Sequence, residues 1–165
     1  MKTIKKMQMS LLSLLIVMSS LLAPLPAFAA GGDEIYVSAS GDDLNNDGSE
    51  SSPFATMGKA LTEVDTAGTI VLLSDIALEG TLNLSATGKT VTIQSAPGHK
   101  YSIKRAESFT TADLMNISGG NITFDNLIID GNNVAISAAR YGIYVSGGTN
   151  LLLDRVEISN HIVTA

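Results

Sequence analysis

The chain has 165 residues, no cysteine, and ten basic against sixteen acidic side chains, for a net charge of −6. That balance, with two histidines and no basic run beyond the first six residues, excludes the electrostatic footprint of a nucleic-acid-binding protein. The lack of cysteine excludes a disulfide framework, so stability must come from core burial and backbone pairing.

The first predicted element is a leader. Lys2, Lys5 and Lys6 make a basic start, Leu11 to Leu22 is an apolar run, and Ala27-Phe28-Ala29 is a small-x-small cleavage site. This is the layout of a Sec-type secretory signal. The apolar run falls well short of the ~20 residues that a membrane-spanning helix needs, and Pro24 and Pro26 follow it at once. No cysteine adjoins the cleavage site, which excludes a lipid anchor. Cleavage after Ala29 leaves Ala30 to Ala165, the length of one domain. It also removes Lys2, Lys5 and Lys6, taking the net charge from −6 to −9. The expectation is an exported protein, secreted or at the cell surface, with no membrane association once the leader is gone.

Residues 30–68 read as a first strand, a polar loop and a helix. Ile35-Tyr36-Val37 is the strand and Ser38 to Ser52 the loop. Thr56 can N-cap the helix, in which Met57, Ala60, Leu61 and Val64 fall on a single stripe. Gly68 stands where a helix stop or turn is expected.

From Thr69 onward the pattern is strand and turn. Two stretches are nearly the same: Ile117-Ser-Gly-Gly-Asn-Ile-Thr-Phe-Asp-Asn-Leu-Ile-Ile-Asp130 and Val145-Ser-Gly-Gly-Thr-Asn-Leu-Leu-Leu-Asp-Arg-Val-Glu-Ile-Ser159. In each, apolar residues alternate on both sides of a polar break, the period of a strand with one buried face. Ile117 recurs as Val145 and Asn121 as Asn150, the two steps differing only by the inserted Thr149. A repeat of fixed length marks each copy as one coil of a stack. Ile70, Val91, Ile122 and Leu151 align as the first strands of successive coils. The first step is the shortest, and the longer later ones imply turn insertions, expected at Ala106 to Asp113 and Asn132 to Arg140. The expected fold is all-β, a right-handed parallel β-helix of about four coils over residues 69–165 with an N-terminal capping helix. Its inward residues would be Ile70, Leu72, Val91, Ile93, Ile122, Phe124, Leu127, Ile129, Leu151, Leu153, Val156 and Ile158. The last residues lack a cap in sequence, which fits a fragment of a longer solenoid or an edge that a partner covers.

The segment from Ile35-Tyr-Val-Ser through Gly41-Asp-Asp-Leu-Asn-Asn-Asp-Gly48 to Pro53-Phe-Ala-Thr56, with the coil start Gly119-Gly-Asn-Ile-Thr-Phe124, resembles secreted bacterial right-handed parallel β-helix proteins of the pectate-lyase-like superfamily. The resemblance extends over nearly all of the chain after the leader. It implies a fold and a polysaccharide or cell-surface glycan as partner, but not one activity, because lyases, hydrolases, epimerases and surface proteins share this opening.

Asp43, Asn45 and Asp47, followed by Gly48, have the alternating oxygens and sixth-position glycine of a calcium loop. Phe54 stands where an EF-hand needs a bidentate glutamate, and the same residues also suit an Asx/Gly turn into the helix. Asp125 and Asp154 hold equal places in consecutive coils, where adjacent strands lie ~4.8 Å apart. In the resembling enzymes, stacked carboxylates hold calcium, the ion neutralises a uronate, and a Lys or Arg takes the C5 proton. Here Arg155 can instead pair with either carboxylate. Lys104, Arg105, Arg140 and Arg155 are the candidate bases, none in a recognisable motif. Arg140 and Tyr141 suit sugar contact. No complete active site is legible, so the chain by itself reads as non-catalytic. The alternatives are the N-terminal part of a polysaccharide-acting enzyme, a surface solenoid that binds glycans, and a non-functional remnant.

Overall fold

The structure, a computed structural model, describes residues 34–111, 113–136 and 141–163. The expected leader and Arg140 lie outside the described residues.

The expected first strand is β1 (Glu34–Val37), and the expected helix is α1 (Met57–Glu63). Thr56 has extended backbone and its hydroxyl accepts from the Lys59 N–H at 3.1 Å, an N-cap. The stripe of Met57, Ala60, Leu61 and Val64 is buried, packed toward β1 and β4 (Leu82–Ser85). Gly68 is neither the helix stop nor a turn. Val64 turns extended after its N–H bonds the Ala60 carbonyl, and Gly68 lies inside β2 (Ala67–Leu72), opposite Val91. Helix termination needs no glycine because a cation meets the last carbonyls. Lys89 Nζ donates to the oxygens of Leu61, Thr62 and Val64 at 2.8, 3.2 and 2.6 Å, which also suits the negative end of the helix.

The remaining strands are β3 (Ile76–Leu78), β5 (Thr90–Ser95), β6 (Ser102–Arg105), β7 (Met115–Ser118), β8 (Asn121–Asp125), β9 (Ile128–Asp130), β10 (Ala135–Ile136), β11 (Ile143–Ser146), β12 (Asn150–Asp154), β13 (Glu157–Ser159) and β14 (Ile162–Val163). Every strand pairing is parallel. The sheets run β1-β2-β5-β8-β12, β3-β6-β9-β13, and β4-β7-β11, with a short β10-β14 pair. The chain thus visits three sheets in turn and returns to the first, each time one strand further along. Parallel pairing follows from this: a chain that comes back to the same edge after a full pass runs in the same direction.

The register agrees with the expected alignment except at its first step. Val91 faces Gly68 rather than Ile70, and Ile70 faces Ile93. A slip of two positions keeps every side chain on its own face, so alternation alone does not detect it. Later steps are as expected, with Ile93, Phe124 and Leu153 in one row.

The corners carry the special backbone. Gly119 and Gly120 both have positive φ, 70° and 71°, and a Cβ on Gly120 would overlap the carbonyls of Ala86 and Lys89. Glycine at Gly119 and Gly120 is therefore a steric requirement, while Gly147 and Gly148 share the positive φ without a close neighbour. At the bend inside each repeat, Asn126 and Arg155 have nearly the same positive φ, 53° and 54°. Asn126 suits it, since asparagine tolerates this region, and its amide donates to the His99 carbonyl at 2.8 Å.

Ile70, Leu72, Val91, Ile93, Ile122, Phe124, Leu127 and Ile129 form the core as expected, together with Ile103, Leu114, Met115 and Ile117. The last four expected core residues behave differently. Leu151 and Val156 are partly buried against the core, whereas Leu153 and Ile158 are 41% and 53% exposed. They stand in register with buried Phe124 and Ile129. An interior position is covered from both sides by neighbouring strands, and among the described residues these two have a neighbour on one side only. The expected insertion at Ala106 to Asp113 is also not all surface: Phe109 is buried, with the Arg105 guanidinium 5.3 Å from its ring centre.

Candidate functional site

The loop residues considered for calcium are placed separately. Asp43 turns its carboxylate to the start of α1, where Oδ1 accepts from the N–H of Ala55 and Thr56 at 2.7 and 3.0 Å and Oδ2 accepts from the Thr56 hydroxyl at 2.6 Å. Asp47 accepts from the Ser49 N–H at 3.0 Å. Asn45 donates its amide to Asp42, whose other oxygen takes the Leu44 N–H. These hydrogen bonds hold Asp42 and Asp47 below the usual carboxylate range: for Asp42 those from Asn45 and Leu44, for Asp47 those from Ser49. Gly48 closes the turn at φ 81°, where a Cβ would press into the Phe54 ring.

Asp125 and Asp154 are brought together as neighbours in register. Arg155 lies over them. Its Nη2 donates to both Asp125 oxygens at 2.6 Å and its Nε to Oδ1 at 2.9 Å. The Asp154 carboxylate is 3.9 Å from Nε. The Asp125 hydrogen bonds, then its charge, raise the Arg155 guanidinium above its ordinary value, so it is held protonated and cannot serve as a base. Lys104 pairs with Asp75 at 3.0 Å. Arg105 is buried beside Phe109, with burial pushing its guanidinium down. Among the described residues no three His, Cys, Asp or Glu side chains converge as a metal-binding group.

The other surface with a coherent arrangement is the outer face of the sheet β4-β7-β11. Its register places Asn83, Asn116 and Tyr144 in one row and Ser85, Ser118 and Ser146 in the next. The intervening Leu84 and Ile117 are buried. Asn116 Nδ2 donates to Asn83 Oδ1 at 3.3 Å. Tyr144 ends the row, and Tyr141 packs against it with ring centres 5.5 Å apart and planes tilted by 31°. Both tyrosines are about half exposed, at 48% for Tyr141 and 44% for Tyr144. At the other end of the face, a cleft of about 390 Å³ lies beside α1, lined in part by Met57, Ile76, Leu78 and Asn83. A second of about 400 Å³ is lined by Leu61, Asn83, Ser85 and Lys89.

Chemically this face offers amides, hydroxyls and two aromatic rings, with no carboxylate in either row. Such groups hydrogen-bond and stack on an uncharged polyhydroxylated ligand. Of the residues expected to contact sugar, Tyr141 belongs here. Sequence reasoning missed Asn83, Asn116, Tyr144 and the serine row. The signal was present as three aligned tetrads, Leu82-Asn-Leu-Ser85, Met115-Asn-Ile-Ser118 and Ile143-Tyr-Val-Ser146, whose even positions face outward.

No family model, no curated protein and no solved structure matches the chain.

Proposed function

We propose that the chain is an exported right-handed parallel β-helix of the pectate-lyase-like kind that binds a glycan without turning it over. The observation that carries this reading is the row Asn83-Asn116-Tyr144 with its serine row alongside, ended by the Tyr141–Tyr144 pair. Strands stack at ~4.8 Å, so the two rows form a regular ladder of donors and acceptors along which an extended saccharide can lie. The ring pair gives one residue of that saccharide an apolar face. A net charge of −9 once the leader is removed favours a neutral glycan over a polyuronate, which it repels. The non-catalytic part rests on Asp125: β-elimination needs a charge neutraliser and a base at one place, and the carboxylate that could hold the neutraliser is occupied by Arg155.

Affinity electrophoresis through gels containing neutral or acidic polysaccharides tests the binding part, and ultraviolet absorbance of unsaturated product tests the non-catalytic part. Retardation by a neutral polysaccharide is expected, with Tyr144→Ala and Asn116→Ala each reducing it while the far-ultraviolet circular dichroism stays unchanged. Migration unaffected by every polysaccharide would overturn the binding reading. Calcium-dependent appearance of unsaturated product from polygalacturonate would overturn the non-catalytic one.

A further inference from the structure

Two glycines stand where nothing local calls for one. Gly58 lies within α1, and glycine in a helix is costly relative to alanine because it gives up the most backbone freedom. It has no positive φ, and a Cβ built on it meets no atom within 4 Å. Gly80, shortly before β4, also lacks a positive φ, and its Cβ would meet only the Thr111 side chain, at 3.7 Å, an ordinary contact. At Gly41, Gly48 and Gly120, by contrast, a Cβ would strike backbone or ring atoms. The side chains missing at Gly58 and Gly80 leave space that the chain's own packing does not use.

That space is shared. Gly58 lines both clefts beside α1, and Gly80 lines the one of about 390 Å³. Asn83 also lines both, and it is the β4 member of the outward row Asn83-Asn116-Tyr144. The two clefts thus form one groove that meets the row at Asn83. Thr56 and Met57 line it with Leu82, and Leu61 and Thr62 line it with Ser85, so the groove follows β4 and runs across the direction of the row. Gly58 and Thr62 are four residues apart and share one side of the helix. A cleft between that side and the outward Asn83 and Ser85 requires α1 to rise beside the face. A saccharide lying along the row from Tyr144 therefore meets the helix at Asn83, and its end turns into the groove.

The lining suits such an end. Each cleft has the volume of a small-ligand pocket. One offers Ile76, Leu78 and Leu82 to the apolar face of a ring, and the other offers the Asn83 amide and the Ser85 hydroxyl. Among the described lining residues Lys89 carries the only charge, and its ammonium is taken up by the carbonyls of Leu61, Thr62 and Val64. Nothing in the groove calls for an acidic sugar.

We propose that the glycan face continues into this groove between α1 and β4, held open by Gly58 and Gly80, and that the groove takes the end of a neutral glycan chain. Gly58 is then a specificity-determining residue. The inference rests on the glycan reading of the row and adds where the ligand ends.

Gly58→Leu tests it on the whole chain. Its Cβ enters open space, and leucine favours a helix more than glycine does, so the melting temperature should hold or rise. In affinity electrophoresis through xyloglucan, galactomannan or mixed-linkage β-glucan, the variant should bind about tenfold more weakly than the parent, a discrimination that pocket volume ordinarily gives. Gly58→Ala should fall between the two. Partial acid hydrolysis of the retarding polysaccharide multiplies chain ends at equal mass, so the shortened chains should compete better than the intact ones. Parent-like binding by Gly58→Leu, or lost binding together with a lower melting temperature, would overturn the groove. Equal competition by intact and shortened chains would overturn recognition of an end. A parent chain that none of the three polysaccharides retards would instead overturn the glycan reading itself, and the groove with it.

Discussion

His161 shows how one side chain sets a pH dependence. Both ring nitrogens are buried and the ring lies against Gly142, where a Cβ would come within 2.9 Å of it. Burial lowers its pKa below the ordinary 6.5, the nearby Arg105 charge lowers it further, and Asp130 works in the opposite direction. The folded protein therefore favours neutral imidazole, and the unfolded chain takes up the proton first as pH falls. This contribution is present above the ordinary value of 6.5 and is lost as pH drops from there toward the folded value. Asp75 acts in a lower window. Burial alone would raise it, but the Ser102 N–H and Lys104 together bring it below its ordinary 3.8, so its contribution disappears only in stronger acid. Melting temperature should thus fall as pH drops below the ordinary histidine value of 6.5 in the parent chain, and His161→Gln should flatten that limb while leaving the acid limb in place. Little of this was legible in sequence. His161 follows a run of alternating residues without being placed by it, and Arg105 occupies an inward position, in register with Leu78, that a charge argues against. Both are settled by which strands stack above and below.

At the level of elements, local signals were read well and distant ones were not. Thr56 and the stripe from Met57 to Val64 carry α1 in one short run of neighbouring residues, and the helix appears where they put it. Its end is governed by Lys89, which is 25 residues from Val64 and comes beside the helix only because it leads into β5. The same contrast separates the polar loop, whose Asx turns use near neighbours, from Asp43, which reaches 13 residues ahead to Thr56. Lys89→Met keeps the aliphatic length and removes three charge-assisted hydrogen bonds from the carbonyls that end the helix. It should lower the unfolding free energy by about 1–3 kcal/mol, seen as a lower urea midpoint with an unchanged slope. An unchanged midpoint would mean that water satisfies the end of α1 as well as the lysine does. The repeat itself was legible for the same reason as the helix: Gly119-Gly120 and Gly147-Gly148 announce equal corners. The outer row Asn83-Asn116-Tyr144 was not, because it becomes a site only when three tetrads from different passes stand side by side.

For the molecule as a whole, parallel stacking makes stability a nearest-neighbour quantity. Each strand owes its order to the strands on either side, without disulfides to carry coupling further. In the first sheet β5 and β8 are paired on both edges, and β12 on one. Local opening should follow that order. Amide hydrogen exchange is therefore expected to be slowest in β5 and β8, and faster in the Leu151 and Leu153 amides of β12, which face the open edge. Equal protection in β5, β8 and β12 would show instead that coupling along the stack reaches beyond nearest neighbours in this molecule.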